Sequence, residues 1–422
     1  MFQVPRGTRD FTPEEMEKRR YIEQNMTATF KSFGYGEIQT PTFETLELFT
    51  AKSGESIINE LYAFTDKGGR ELALRPELTA PVIRCYVERL QMEPKPLKLF
   101  YFGNCYRYDR PQKGRYREFQ QAGCEVIGAD TPEAVAELLA LAYSLLKNVG
   151  LKNITLNIGN LTIISAVFQK LNLLKDDQKL LLPFIDKSQF DDLQVALRDC
   201  GVSEKDVKQF ISILQTSELD EIRSFIKDDP TAMKEFSTME TILDMLKNAF
   251  KIQNYRIKLG IVRGLDYYKG LVFEIDAPLL GAEKQLCGGG AYDLVKLFGG
   301  TDVPTTGFAI GFDRTILALE AEKFSFPSPT LDAYIVPVNQ DMIRTSIEIA
   351  QQLRHVGLCV DFDQLQRGMG KALKYADAKQ VKTVLIVGPK ELEKNSVTLR
   401  DMKTGNQEII ALTEIVRKLK SR

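Results

Sequence analysis

Three segments far apart in this 422-residue chain carry arginine in settings suited to gripping phosphate. They are residues 105–119 with Arg107, Arg110, Arg115 and Arg117, residues 262–268 with Arg263, and residues 307–314 ending in Arg314. Each is built on a strand or helix signal rather than in a basic tract. The planar guanidinium binds phosphate at two points, so converging arginines fit a polyphosphate held and stabilised while it reacts. The usual phosphate loop is missing: no G-x-x-x-x-G-K-[ST] occurs, and residues 368–372 lack both the upstream glycine and the hydroxyl. The single histidine, His355, excludes Ser-His-Asp triads, Cys-His pairs and H-E-x-x-H zinc sites, and its position fits a helix C-terminus. Six scattered cysteines without a C-x-x-C pair argue against a zinc site or a disulfide framework. Chemistry here must run on arginine, carboxylate, amide and a divalent metal arriving with the phosphate.

The elements that position these residues can be read from periodicity. Thr12-Pro13-Glu14-Glu15 is a capping box with proline at the first helical position; Ile22, Met26, Phe30 and Phe33 follow at helical spacing, and Gly34 ends the helix. Residues 35–40 read as a strand running into Pro41. Residues 71–77 read as a strand stopped by Pro76, leaving Glu77 and Thr79 at its tip. Residues 97–127 form a long antiparallel hairpin with 109–116 as its polar connection. Period-2 alternation puts Arg117, Phe119, Gln121, Gly123 and Glu125 on one face of the return strand, either a ligand wall or a solvent-facing polar side. From Leu161 to Phe250 the pattern turns amphipathic and helical. Strands then return at 255–259 and 270–275, through the glycine-rich 287–293 and the strand-to-helix turn at 307–314. One sheet interrupted by an insertion is the economical reading. Residues 324–329 read as a linker, and beyond it short strands alternate with helices in a compact α/β domain with a basic helix around Lys371, Lys374 and Lys379.

Composition is that of an enzyme-sized globular protein, 44% hydrophobic and 27% charged, enough for two or three domains. No apolar run approaches 18 residues and no leader is visible, which predicts a cytoplasmic protein with neither membrane span nor signal peptide. The net charge of −1 gives no global sign of nucleic acid, but two stretches are locally basic. Residues 104–120 hold five Lys/Arg against two Asp/Glu, and residues 364–382 five against one.

These residues resemble the class II aminoacyl-tRNA synthetases, and specifically the histidyl-tRNA synthetases, over essentially the whole chain. The opening Pro5-Arg6-Gly7-Thr8-Arg9-Asp10 is similar to the family's start, and residues 34–41 resemble its first motif, whose proline lies at a dimer interface. The hairpin from Tyr106 to Glu125 resembles the second motif and residues 307–314 the third. Residues 263–268 and the glycine-rich stretch to Asp293 resemble the histidine-specific signatures, and the end domain the anticodon-binding domain. The resemblance implies an α+β fold: a class II antiparallel sheet flanked by helices (1–160 and 251–323), a helical insertion (161–250), a linker (324–330) and a C-terminal α/β anticodon-binding domain (331–422). It also implies ATP and Mg²⁺ as reactants, L-histidine and tRNA(His) as substrates, and a homodimer. The metal ligands stay unassigned.

What the resemblance implies for single residues is as follows. Arg107 and Arg263 clamp the α-phosphate and the amino acid carboxylate, Arg263 standing where other class II enzymes place a metal. Arg115 and Arg314 hold the outer phosphates and Phe119 stacks on adenine. Glu77, Thr79 and Gln121 surround the α-amino group, while Glu125, Tyr267 and Tyr268 line the imidazole end. Arg110, Gln112 and Lys113 approach the tRNA acceptor end. Three positions depart from the family pattern: Ala291 where arginine is usual, Lys269 where threonine is common, and Gln120 in place of a histidine or aromatic residue. They leave open an alternative, a catalytically silent paralogue similar to the regulatory subunit of ATP phosphoribosyltransferase. That alternative predicts a broken arginine set and a missing end domain, whereas Arg107, Arg115, Arg263 and Arg314 are all present.

Overall fold

The computed structural model describes residues 2–51, 59–110, 114–261, 268–327 and 331–420. Arg263, Tyr267, Gln112 and Lys113 lie outside the described residues. The chain divides into two compact units, 1–326 and 327–422. No described helix is long and apolar enough to cross a membrane.

In the first unit the strands are β1 (Gly36–Glu37), β2 (Phe43–Thr45), β3 (Tyr62–Thr65), β4 (Glu71–Leu74), β5 (Leu97–Tyr106), β6 (Glu118–Ile127), β7 (Thr155–Asn160), β8 (Tyr255–Ile257), β9 (Tyr268–Asp276), β10 (Gln285–Tyr292) and β11 (Thr305–Gly311). Eight of them form one sheet in the order β1-β5-β6-β11-β10-β9-β7-β8, antiparallel except for the outer pairs β1–β5 and β7–β8. The remaining three make a small sheet, β2-β4-β3. The strand expected over 35–40 shrinks to two residues, because only Gly36 and Glu37 find partners on β5.

One face of the large sheet is sealed by helices. The helix Pro13–Ser32 starts at the expected capping box, with Glu15 Oε2 accepting from Thr12 N at 2.7 Å, and Gly34 beyond its end adopts φ +80°. Its Ile22, Met26 and Phe30 are fully buried, and the Phe30 ring stacks on Phe100 of β5 at 4.7 Å. Ala122, Cys124 and Val126 of β6 join that core, so Phe119, Gln121, Gly123 and Glu125 lie on the opposite face. Helices between Leu161 and Asn248 bury Phe168, Phe210 and Phe236 in continuity with the same core. Phe324 and Phe326, expected in a linker, pack on Tyr21 at 5.6 and 5.9 Å.

The second unit is a five-stranded mixed sheet, β13-β12-β14-β15-β16, from β12 (Ala333–Pro337), β13 (Val360–Phe362), β14 (Thr383–Val387), β15 (Ser396–Asp401) and β16 (Gln407–Ala411). The basic helix runs over Met369–Ala378 and the helix carrying His355 over Ile343–His355. Buried Asp363 accepts from the Arg367 backbone N–H at 2.5 Å and pairs with its guanidinium, which lies 4.2 Å from the Tyr375 ring.

Candidate active site

A cavity of about 400 Å³ opens on the face of the sheet opposite the Phe30 core, lined among others by Arg107, Arg115, Phe119, Gln121 and Arg314. Arg107 follows β5 and is steered by its Nε, which donates to the Pro76 carbonyl at 2.9 Å, with its guanidinium 5.4 Å from the Phe119 ring centre. Arg314 sits in the first turn of the helix Phe312–Ala321. Its Nη1 donates to the Gln285 carbonyl at 3.0 Å, its Nε to the Gly114 carbonyl at 3.3 Å, and it pairs with Glu283. Arg115 is half exposed and 3.4 Å from Asp109. Burial pushes the Arg314 pKa down; Glu283 opposes this, while the positive charges of Arg115 and Arg107 add to it. Three arginines, two from the hairpin connection and one from the helix Phe312–Ala321, therefore crowd one volume, as an incoming polyanion requires.

The far end of β6 has different chemistry. Glu125 is fully buried, and its carboxyl is held between two phenols: Tyr101 donates to Oε1 at 2.9 Å and Tyr292 to Oε2 at 2.6 Å. Burial raises its pKa to about 8, against the lowering effect of the phenols, with nearby Glu77 raising it further. Two glycines make this geometry possible. A Cβ on Gly123 would lie 2.7 Å from the Tyr101 hydroxyl, and one on Gly307 would lie 1.8 Å from Glu125 Oε2. Between the two ends stands Gln121, whose Oε1 accepts from the Cys105 thiol at 3.3 Å.

Glu77 corrects a detail of the sequence reading. It is not at a bare strand tip but caps the helix Thr79–Cys85, accepting from Thr79 N at 2.5 Å and Ala80 N at 2.9 Å. Burial raises its pKa, and those two N–H groups and Arg107 work against the rise. Tyr268 is opposite Tyr292 in the β9–β10 ladder. Arg110 is exposed in the hairpin connection.

Two of the departures are neighbours in space: Ala291 and Lys269 are cross-strand partners, and Lys269 lies 3.7 Å from Asp293. The third, Gln120, accepts from Arg19 Nη2 at 2.7 Å. Tyr101 and Tyr292 went unnoticed in sequence, although Tyr101 faces Gly123 in the hairpin register. Arg75 was also missed: buried, it donates to the carbonyls of Asn104 (2.7 Å), Thr40 (2.9 Å) and Pro41 (3.1 Å), pinning the chain after β1 to β5. Glu60, on the cavity wall with its pKa raised by burial, carried no sequence signal.

Comparison with known proteins follows the same division of the chain. Residues 7–315 match the family model described as histidyl-tRNA synthetase and residues 332–422 that described as anticodon binding domain. The chain is 44% identical over 421 residues to a histidine–tRNA ligase of Methanocaldococcus jannaschii, covering 98% of this chain and 99% of that one. It is similar to the crystal structure of apo histidyl-tRNA synthetase of S. aureus, with TM-score 0.74, 30% identity and 99% and 100% of the two chains covered. The fold is also that of a histidyl-tRNA synthetase from a Nostoc species, with TM-score 0.86, 23% identity and 100% and 99% covered.

Proposed function

The chain belongs to the histidyl-tRNA synthetase family and ligates histidine to tRNA at the expense of ATP, and from that premise we propose how its residues divide the work. The observation that carries the assignment is the pair of environments along β6: a cavity crowded with arginines beside its start, and a buried carboxyl between two phenols toward its end. Adenine stacks on Phe119, Arg115 and Arg314 hold the outer phosphates, and Arg107 and Arg263 take the α-phosphate and the amino acid carboxylate. Glu77, Thr79 and Gln121 receive the α-amino group. A buried carboxyl with a raised pKa gains most from an arriving ammonium. Glu125, Tyr267 and Tyr268 enclose the imidazole, where an unpaired buried polar group penalises any other amino acid.

In the first step the histidine carboxylate oxygen attacks the α-phosphorus and the bond to the β-phosphate oxygen breaks, releasing pyrophosphate. The nucleophile is already ionised, so no general base is needed, and the arginines act by positioning and by stabilising charge. In the second step a hydroxyl of the terminal ribose of tRNA attacks the activated carbonyl and AMP leaves. Among the described residues no group of three His, Cys, Asp or Glu could hold a metal. Mg²⁺ would arrive on the phosphates, whose charge it would neutralise beside Arg115 and Arg314.

Arg110, Gln112 and Lys113 meet the acceptor end of tRNA(His). Residues 1–160 and 251–323 form the catalytic domain, 161–250 the insertion, and 331–422 read the anticodon. The working protein is a cytoplasmic homodimer; the exposed pair Phe43 and Phe64, edge to face at 6.3 Å on the small sheet, suits a surface covered by a second copy. The alternative of a silent regulatory paralogue is disfavoured by the full-length match that includes the anticodon-binding domain. Histidine-dependent exchange of labelled pyrophosphate into ATP tests the proposal. Exchange with histidine and none of the other nineteen amino acids is expected; histidine binding without exchange would move the assignment to the paralogue.

A further inference from the structure

From the wall of the cavity's arginine end, a closed ring of hydrogen bonds that the reaction as described does not use runs back to the N-terminal helix. The Asp313 side chain is 6% exposed. Its Oδ1 accepts from Arg19 Nη1 at 2.6 Å, Arg19 Nη2 donates to Gln120 Oε1 at 2.7 Å, and the Gln120 backbone N–H donates to Asp313 Oδ2 at 3.2 Å. Arg9 adds a second cation 2.9 Å from Asp313 Oδ1 and lies 3.3 Å from the centre of the Tyr116 ring. The same N-terminal segment holds the hairpin's return, where the Gly7 carbonyl accepts from Arg117 N at 2.8 Å. Two members of the ring, Asp313 and Gln120, stand on the cavity wall themselves and are next in sequence to residues assigned to ATP or histidine. Asp313 precedes Arg314, and Gln120 lies between Phe119 and Gln121.

We propose that Asp313 is a positioning residue for ATP. Its carboxylate locks the start of the helix Phe312–Ala321 to the return strand of the hairpin, and so sets Arg314 and Phe119 at the separation that phosphate and adenine require. This inference rests on the assignment of Phe119 and Arg314 to ATP. The charge matters as well as the bonds: neutralising Asp313 leaves two guanidinium groups facing each other without a counter-ion in a largely buried place, which drives the three elements apart. Glu125 is insulated from this, because its own bonds to Tyr101 and Tyr292 anchor the other end of β6.

The test is steady-state pyrophosphate exchange on Asp313→Asn, Arg19→Gln, the double variant and Phe119→Ala in the full chain. Asp313→Asn is expected to raise the KM for ATP at least tenfold and that for histidine less than twofold. The double variant is expected to be no worse than the worse single, because both break one ring. Should Asp313→Asn fail to fold, Arg19→Gln alone must give the same split. An unmoved ATP KM, parallel rises for both substrates, or additive effects in the double variant overturn the proposal. A normal Phe119→Ala defect beside an unmoved Asp313→Asn overturns the ring alone; no Phe119→Ala defect sinks the ATP assignment and the ring with it.

Discussion

Glu125→Gln is the perturbation whose effect can be worked out furthest. Burial lifts the Glu125 pKa from 4.5 to about 8. The folded state thus binds this proton more tightly than the unfolded chain, so the empty protein loses stability as pH rises from about 4.5, and the loss is complete above about 8. At about 1.4 kcal/mol per unit, the full window is worth about 5 kcal/mol. Glutamine keeps one acceptor and one donor between Tyr101 and Tyr292, as the protonated acid does, but does not titrate. Between pH 5 and 7.5 the variant should therefore gain about 3 kcal/mol on the wild type. For a unit of this size that is roughly 5 °C in unfolding midpoint. Thermal unfolding of both proteins at half-unit pH steps reads it, and parallel midpoints across that range would refute the reasoning. Binding follows the same proton. Glu125 can hand its proton to an incoming neutral imidazole, so wild-type histidine affinity should plateau between about 6.5 and 8 and fall on either side. In Glu125→Gln the fall above pH 8 disappears, and histidine KM rises tenfold or more while ATP KM holds, the cost of losing a hydrogen bond to a charged group.

Three other outcomes are expected. Arg107→Gln should slow adenylate formation by two to three orders of magnitude in a single-turnover assay, about 3–4 kcal/mol for one charged donor at the reacting phosphate. Gly307→Ala should destabilise the first unit by about 1–3 kcal/mol and weaken histidine binding more than ATP binding, since its methyl would occupy the place of Glu125 Oε2; calorimetry and the two KM values read this, and equal weakening of both substrates would count against it. Arg110→Ala should cut tRNA aminoacylation several-fold while sparing pyrophosphate exchange, and an equal fall in both would remove that loop from the tRNA contact.

Much of the scaffold was legible because it obeys local rules. The capping box at Thr12 starts a helix wherever it occurs ahead of apolar residues at helical spacing, and Ile22, Met26 and Phe30 are buried as that spacing demands. Alternation along β6 decided which side chains share a face, since a strand has only two. The strand expected at 35–40 failed because strand formation needs a neighbour, and β5 offers one to two residues only. Glu77 was misread for a related reason: whether a polar residue after a proline caps the next helix depends on where the chain turns.

By itself the sequence determined the order of elements, the absence of an imidazole route to catalysis and the arginine inventory. Only the tertiary structure decided what those residues do to one another. Tyr292 reaches Glu125 across 167 positions, and Arg19 reaches Asp313 across 294. That Ala291 and Lys269 are neighbours is visible only once β9 and β10 are seen in register. The physical reason is common to all three. Propensity and periodicity act over a few residues, whereas burial, pKa and ion pairing are set by whatever the fold brings within a few ångströms, and no local pattern records that.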